Sequence, residues 1–567
     1  MGGMGKTQVI KALSHFFTSR NEAHCFIIVA PTGTAAALLG GSTYHSMFGI
    51  NDKSGTSRTG ISHMKEKLAG VQYIFFNEVS MLLARDLYCI HVQLVRVFDC
   101  AHVPFSNLNM VFSGDFTQLP PALGGENVSL YSRTIGSIST DIKSQWHQMT
   151  TVVILRENMR QKHQSAEDAQ FQTALENMRF KACTPEDIVF LCTLMSSKLP
   201  AGHHSICDED YQNVSIIIGT NLHKDEFNRL GTICFAQETG QSLVDFYSND
   251  SPCGTQTNTE NVCGVKHVGE ISDEMRDALW SQPPSSSDKH IAGKLSICIG
   301  LPVIIRYNYA TEICMTQGQE GFVQGWQLKK GVNGQVVLDT LFIKLKDPPI
   351  HVQVPGLPEN VVPVYPTTNN TTVSLPNDEK YVITHTQVEV LVNFAMTNFG
   401  SQGKNHSKNV SDPNNLRTHQ LYYTALSRST TAVGTLILQG FDSRQITGGC
   451  SGALRQEFRE LEMLDEITRL HYLGKLPIMV DGDTRNNIIA SFRSLKGEQY
   501  VLENVHTSIR WSNCNPWLDS KNIDLNERLA LLEQHKEKKR AEKKGNKQDS
   551  LLLSKTHHDG SLDISKI

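Results

Sequence analysis

The chain begins Met1-Gly2-Gly3-Met4-Gly5-Lys6-Thr7, and these residues decide how the rest is read. They form the second half of the phosphate-binding pattern G-x-x-x-x-G-K-[ST]. Glycines let backbone N–H groups turn inward around phosphate oxygens, the Lys adds a positive charge, and the Thr hydroxyl can ligate Mg²⁺. Behind the loop, Val9, Ile10, Leu13, Phe16 and Phe17 recur at helical spacing. That predicts a helix whose N-terminus aims its dipole at the phosphates. The pattern's first Gly would fall one residue before Met1, and the strand that feeds such a loop would lie further upstream. The expectation is an ATP-driven protein whose first domain is truncated at its N-terminus.

Further along, short apolar runs end in polar residues. Ala23 to Ala30 runs into Pro31-Thr32-Gly33, Tyr73 to Phe76 into Asn77-Glu78, and Met110 to Ser113 into Gly114-Asp115. Strands of this kind alternating with helices indicate a parallel α/β sheet, and ligands bind off the carboxyl ends of its strands. Lys6, Glu78 and Asp115 would converge there. A second α/β unit is expected from about residue 150, where Val152 to Leu155 lead into Arg156, with a strand at Val214 to Gly219. Residues 250–294 are polar and rich in Ser, Thr, Asn and Pro, and read as a partly mobile surface insertion. Strand-like stretches then follow at Pro302–Arg306, Val336–Lys344, Ile350–Val354, Tyr381–Thr384 and Val388–Val392. Thr435 to Leu438 is the last clear buried strand. Residues 452–470 make an amphipathic helix with Leu454, Phe458, Leu461, Leu464 and Ile467 on one face.

At 567 residues the chain is too long for one ordinary core. A net charge of −4 gives no global signal for nucleic acid, so a polyanion site must come from a local groove. The 13 cysteines show no C-x-x-C spacing and read as reduced thiols; Cys253 and Cys263 sit in a polar stretch, where plain thiols are preferred over a metal pair. No apolar run is long enough to cross a membrane, and with the phosphate loop at the start no signal peptide is expected. Near the end, Lys536, Lys538, Lys539, Arg540, Lys543, Lys544 and Lys547 form a basic run. It is either a nuclear-localisation or nucleic-acid patch or, preferably, a solvated tail.

Motifs downstream of the loop match one pattern in order. Ala30-Pro31-Thr32-Gly33-Thr34-Ala35-Ala36, with Gly41-Ser42-Thr43-Tyr44-His45-Ser46, resembles the DNA-contacting motif of superfamily 1 helicases. Asn77-Glu78-Val79-Ser80-Met81 resembles D-E-[VI]-S-M, and Gly114-Asp115-Phe116-Thr117-Gln118-Leu119-Pro120-Pro121 resembles G-D-x-x-Q-L-P-P. Arg156-Glu157-Asn158-Met159-Arg160-Gln161 resembles L-x-x-N-x-R-Q. Phe394 to Thr397 with Ser401-Gln402-Gly403 resembles F-A-x-T-x-x-x-S-Q-G, and Tyr423 to Arg428 resembles Y-x-A-L-S-R. The chain is similar to PIF-type DNA helicases (petite integration frequency), especially fungal and Helitron-associated forms.

That resemblance implies two RecA-like phosphate-loop domains with parallel sheets and a small β-barrel inserted in the second. A C-terminal helical extension and a disordered basic tail complete the expected fold. The expected divisions are 1–149 for the first domain, 150–320 for the first part of the second, 321–392 for the β-module and 393–450 for the rest of the second. An extension at 451–520 and a tail at 521–567 follow. It also implies ATP and Mg²⁺, single-stranded and duplex DNA as partners with no membrane, 5′→3′ movement, and roles in repair, recombination and telomere upkeep. The implied compartment is the nucleus, with the mitochondrion second.

Roles follow for residues in the matching motifs. Lys6 stabilises charge on the transferred phosphoryl group, and Gly2, Gly3, Gly5, Lys6, Thr7 and Gly403 contact nucleotide. Thr7 and Asn77 would hold Mg²⁺. Glu78 is the expected base for the attacking water, and Gln118 would bond both water and γ-phosphate. Arg160 and Arg428 would reach in from the second domain as arginine fingers. Thr32, Thr43, His45, Thr397 and Ser401 would contact DNA phosphates. Tyr44 and Phe48 stack on bases or are core. Three departures stand out. The opening Gly and its strand are absent. Asn77 replaces an Asp, removing the charge Mg²⁺ prefers. Asn405 replaces a Thr. They leave open an alternative of a different class, an impaired, transposon-derived remnant that keeps DNA or partner binding.

Overall fold

The computed structural model describes residues 3–50, 58–132, 145–161, 165–199, 208–253, 265–267, 269–376, 379–497, 500, 502 and 505–509. Gly2, Cys263, the basic run and the expected tail at 521–567 lie outside them. The chain divides into two units, Met1–Leu495 and Lys496–Ile567. The second contributes only a short turn at Thr507–Ile509 to the description.

The first lobe is an α/β layer. In chain order it holds α1 (Lys6–Ser19), β1 (Phe26–Ala30), α2 (Gly33–Ala37), β2 (Ser42–Thr43), α3 (Tyr44–Phe48), α4 (Arg58–Lys67), β3 (Tyr73–Asn77), α5 (Ala84–Phe98) and β4 (Asn109–Ser113). The strands form one parallel sheet in the order β2-β1-β3-β4, with Ile28 beside Phe75 and Phe75 beside Val111. Val29, Ile74 and Phe76 are fully buried in it. The helix behind the loop forms as expected, but its face differs. Ile10 is buried and Phe17 stacks on Phe26, whereas Val9, Leu13 and Phe16 are exposed.

Residues 150–155 form neither strand nor helix. Their backbone donors go to a helix instead. Val152 N–H donates to Thr468 Oγ1 at 3.1 Å and Ile154 N–H to Asp465 Oδ1 at 2.7 Å. The second lobe then builds α6 (Ala166–Arg179), α7 (Pro185–Thr193), β5 (Ile216–Ile218) and α8 (Asn221–Glu238). Thr184 and Asp187 form a capping box that starts α7.

The chain next enters a β-rich module: β6 (Val244–Tyr247), β7 (Asn249–Pro252), β8 (Val265–His267), α9 (Asp273–Ser281), β9 (Lys294–Ile297), β10 (Pro302–Ile305), β11 (Glu320–Lys330), β12 (Val336–Leu345), β13 (Val361–Val364), β14 (Pro366–Ser374), β15 (Lys380–Val388) and β16 (Val390–Val392). One sheet runs β13-β12-β11-β10-β16, another β14-β15-β7, with β8 also on β15. One core unites Phe246, Ile297, Val303, Val323, Leu341, Val362 and Val388. The expected boundary at 321 is therefore too late, because β6, β9 and β10 share the core of the strands after it. Hydrogen bonds leave β13 and β16 as edges, so among the described residues they do not close the expected barrel. The described parts of 250–294 are also not a loose insertion. β7 pairs with β15, and Ile271 and Leu279 of the α9 region pack on Val373 and Ile383.

The chain returns to the second lobe with β17 (Ala395–Thr397), α10 (Asn398–Ser401), β18 (Asn409–Asp412), α11 (His419–Leu426) and β19 (Thr435–Ile437). Its parallel sheet runs β17-β5-β18-β19. Finally α12 (Gly452–Tyr472) and α13 (Arg485–Lys496) form the extension. α12 touches both lobes. Phe458 packs edge-on against Phe180, and Glu457 accepts from Trp146 Nε1 at 3.0 Å, while Trp146 packs on Phe112 and Phe116. Arg485, fully buried, pairs with the same Glu457 at 2.8 Å.

Candidate functional site

The carboxyl ends of the two parallel sheets frame a cavity of about 740 Å³. Gly3, Gly5, Lys6, Thr7, Asn77, Glu78 and Gln118 line it from the first lobe; Arg160, Gly403 and Arg428 line it from the second. Every expected catalytic, nucleotide and metal residue is therefore gathered there except Gly2, which is not described.

Local chemistry explains how each is placed. Gly3 and Gly5 both sit at φ +81°, where a side chain would be strained. A Cβ on Gly3 would also lie 2.5 Å from Arg160 Cβ. Glu78 follows β3 at φ 58°, an uncommon conformation for a residue with a side chain. Gly114 follows β4 because a Cβ there would meet Val79 N and Cγ1 at 2.8 Å. Asn158 shapes the arginine loop. Its Oδ1 accepts from Arg160 N at 3.0 Å and Gln161 N at 3.2 Å, while Met159 N donates to Gly3 O at 2.9 Å. Arg160 Nη1 then donates to the Ser427 carbonyl, one residue from Arg428.

Polar bonds between the lobes concentrate on the expected site. Arg428 Nη2 donates to Gln118 Oε1 at 3.4 Å, and Gln402 Nε2 to Glu78 Oε2 at 3.1 Å. Gln420 Nε2 donates to Phe116 O and to Tyr131 Oη, both at 3.1 Å. Arg179 pairs with Asp115 at 3.2 Å. Gln402, Gln420 and Arg179 were not anticipated. Gln402 lies inside the quoted Ser401-Gln402-Gly403 motif and was overlooked beside its glycine. Arg179 sits on an ordinary amphipathic helix and carries no sequence signal.

The cleft is electropositive at depth. Burial lowers the pKa of Lys6, with Asp115 and Glu78 opposing. Burial lowers that of Arg428 too, with Glu78 opposing. For Arg160, burial and then the neighbouring Arg428 both work against charge. Three cations so placed suit a polyphosphate. Asp115, which burial alone would push up, is held well below the usual carboxylate range by Arg179, Lys6 and a bond from Thr117. On the module side Glu320 pairs with Lys404 and, at 3.7 Å, with Lys346. His406 beside them is pushed down to about 4, by burial first.

The expected DNA contacts lie elsewhere. Thr32 caps α2, its Oγ1 accepting from Ala35 N at 3.3 Å; Thr43 caps α3, accepting from Ser46 N at 3.4 Å. The register Ala30–Thr43 brings both to one end of the sheet. His45 stacks on Tyr44, and burial lowers its pKa, so it is a neutral ring at pH 7. Thr397 ends β17 on the other lobe. Ser401 does not fit its expected role. It is completely buried, and its hydroxyl donates to Asn398 O at 2.9 Å, which leaves nothing for a DNA phosphate. Tyr44 and Phe48 are core residues rather than stacking platforms, and Tyr44 Oη donates to buried Asp86 at 2.6 Å.

Comparison with known proteins finds the following similarities. Residues 1–183 match the PIF1-like helicase family. The chain is 33% identical over 126 residues to the ATP-dependent DNA helicase PIF4 of Trypanosoma brucei brucei, covering 21% of this chain and 15% of that protein. It spans less than a third of the length of the curated relatives it matches. In fold it resembles the Pif1 helicase from Candida albicans, with a TM-score of 0.56 and 19% identity over 82% of this chain and 94% of that one. It likewise resembles a Bacteroides Pif1 bound to ssDNA, with a TM-score of 0.54 and 20% identity over 81% and 91%.

Proposed function

We propose that this chain, a relative of the PIF-type superfamily 1 helicases, is an ATP-hydrolysing motor that moves 5′→3′ along single-stranded DNA and unwinds duplex. One observation carries the reading. Lys6, Glu78 and Gln118 on one lobe face Arg160 and Arg428 on the other across a single cavity.

The residues divide the work of phosphoryl transfer. The loop glycines and Lys6 bind and orient the phosphates. Glu78 takes a proton from the attacking water. Arg160 and Arg428 place positive charge where the transition state gathers negative charge, and only when the lobes are together. Gln118, in the loop after β4, accepts from Arg428 Nη2, so it joins the two lobes at the cleft. Thr7 and Asn77 offer oxygen donors that fit Mg²⁺ in kind, though without a carboxylate; the ion would supply charge neutralisation at the β- and γ-phosphates. The biological setting we assign is repair, recombination and telomere upkeep, in the nucleus first and the mitochondrion second. The alternative of an inert remnant is not favoured, since the cleft keeps its base, its lysine and both arginines.

The test is hydrolysis by the purified chain with and without single-stranded DNA. Stimulation by DNA is expected, together with a loss of about 10²-fold or more in Glu78→Gln. Hydrolysis indifferent to both DNA and Glu78 would overturn the assignment.

A further inference from the structure

Gln402 reaches from the second lobe to hydrogen-bond the expected base, and none of the roles above uses it. It leaves the short helix α10 in extended conformation (φ −63°, ψ 136°) and is 7% exposed. Its Nε2 donates to Glu78 Oε2 across the cleft at 3.1 Å. Its Oε1 is buried and has no hydrogen-bond partner among the described residues. Gln402 and Glu78 both line the nucleotide cavity.

The backbone around Gln402 is tied to the arginine finger. Lys404 N donates to Ser401 O at 3.1 Å, closing the turn that carries Gln402. His406 N donates to Arg428 O at 3.0 Å, and Thr430 N to His406 O at 3.2 Å. Gln402 and Arg428 therefore belong to one rigid piece of the second lobe, and each meets a first-lobe residue of the cleft, Glu78 or Gln118.

We infer that Gln402 is a positioning residue for hydrolysis. Its N–H fixes one oxygen of Glu78, so the other faces the attacking water, and its free Oε1 accepts a hydrogen bond from that same water. An amide suits the task because it orients a carboxylate without neutralising it, as a Lys or Arg there would. In the step so arranged, the water oxygen forms the new bond to the γ-phosphorus and its proton passes to Glu78. The bond from phosphorus to the bridging oxygen breaks, and its electron pair leaves on ADP. Because Gln402 arrives with the second lobe, the base is aimed only when Arg428 is also in place. The inference rests on the hydrolytic reading of the cleft.

The experiment uses the full chain with ATP and single-stranded DNA. Gln402→Ala should lower kcat by about 10²-fold, the cost of a misplaced reacting group, while the KM for ATP stays within about threefold. Gln402→Glu, nearly isosteric, should lose as much, because it repels Glu78; it serves if the Ala variant does not fold. In a Glu78→Gln background the Gln402→Ala change should cost nothing further. Full activity in both Gln402 variants, in a chain where Glu78→Gln is inactive, would overturn this role and leave the hydrolytic reading intact. Additive losses in the double variant would overturn it too. A wild-type chain that does not hydrolyse ATP would remove both.

Discussion

Replacing Arg428 by Met separates a catalytic cation from a structural one. The Arg428 side chain is 1% exposed, and among the described residues it forms no ion pair with a carboxylate. Its partners are Thr424 O at 3.1 Å, Ser427 Oγ at 3.3 Å and Gln118 Oε1 at 3.4 Å. Losing such bonds costs about 0.5–1.5 kcal/mol each. Against that, a charge leaves a buried site where its desolvation cost several kcal/mol, and Met fills much of the same volume. The two effects nearly cancel, so stability without nucleotide should stay within about 2 kcal/mol and the melting temperature within about 5 °C.

The rate should behave quite differently. An arginine facing the transferred phosphoryl group is worth about 10³-fold or more in kcat, which is about 4 kcal/mol of barrier. Arg428→Met should therefore melt like wild type and turn over about a thousandfold more slowly. Arg428→Lys should recover little, because a lysine keeps the charge but not the planar fork. The assay is phosphate release at saturating ATP and DNA, beside thermal unfolding without nucleotide. A kcat within about threefold of wild type would refute the reasoning. So would a melting temperature that falls by tens of degrees in step with activity, since Arg428 would then be a scaffold charge.

Three further outcomes follow from the same cleft. Asn77→Asp restores a carboxylate beside Thr7 and should tighten apparent Mg²⁺ affinity on the order of tenfold, raising hydrolysis at limiting Mg²⁺; equal Mg²⁺ titrations for the two forms would count against Asn77 as a ligand. Gln420→Ala leaves Phe116 O and Tyr131 Oη without their cross-lobe donor, and about 1–3 kcal/mol lost from the closed state should appear as a KM for ATP raised about tenfold; an unchanged KM would show that the contact does not hold the cleft. Burial pushes both His406 and His419 down to about 4. The unfolded chain therefore takes up protons first as pH falls below about 6.5, and stability should drop between about pH 6.5 and 4, by about 2 kcal/mol per histidine at pH 5. His419→Gln should flatten that slope in melting curves at pH 7 and pH 5; an unaltered slope would mean that the ring is solvated.

Why the cleft was so legible, and the module so poorly so, has a physical cause. Strands β1 and β3 are largely buried, and β4, though more exposed at the edge of the sheet, carries Met110, Val111 and Phe112 in a row, so each reads as an apolar run with polar residues at its carboxyl end. A site built from those ends inherits that legibility, which is why Glu78 and Gln118 were found, while Lys6 was found from the phosphate-loop pattern itself. The module's strands pair with one another through backbone groups that any sequence owns. β14, Pro-Thr-Thr-Asn-Asn-Thr-Thr-Val-Ser, is polar almost throughout, yet Pro366 to Ser374 pair residue by residue with β15. β11 was missed because Gly321, Gly325 and two terminal lysines dilute it, and register shifts interrupt its pairing with β12. The opposite error occurred at Ile350–Val354, where Val352 is buried but its N–H goes to the Asn360 side chain rather than a strand. The apolar run Val152–Leu155 joins no strand either, and the N–H groups of Val152 and Ile154 meet α12 side chains more than 300 residues away. Ser401 shows the limit of motif transfer. Position in a motif fixed where the residue sits, not which way its hydroxyl points.

The bonds that join the lobes also say how strongly they are joined. Gln402 to Glu78 and Gln420 to Phe116 and Tyr131 are amide hydrogen bonds, each worth about 0.5–1.5 kcal/mol net, or up to about 3 where a charge takes part. Arg179 with Asp115 adds one buried pair, whose Coulomb gain is largely offset by desolvation. Working against them, Arg160 and Arg428 line the same cavity as like charges, an opposition that Glu78 eases only in part. The closed arrangement is therefore favoured by only a few kcal/mol. That is the range in which a ligand binding one state better than another can shift a population, since moving an equilibrium from 1:99 to 99:1 takes about 5.5 kcal/mol of differential affinity. On the proposed reading, a triphosphate set between Lys6, Arg160 and Arg428 would turn the repulsion into attraction and stabilise closure. Loss of the γ-phosphate would remove the anion nearest the two arginines and restore the opposition. A cleft stitched by several strong ion pairs would stay shut through that change, and one with no cross-lobe bonds would not aim Glu78 at all. The amides at Gln402 and Gln420 sit between these limits, which is what a reversible nucleotide-driven cycle requires.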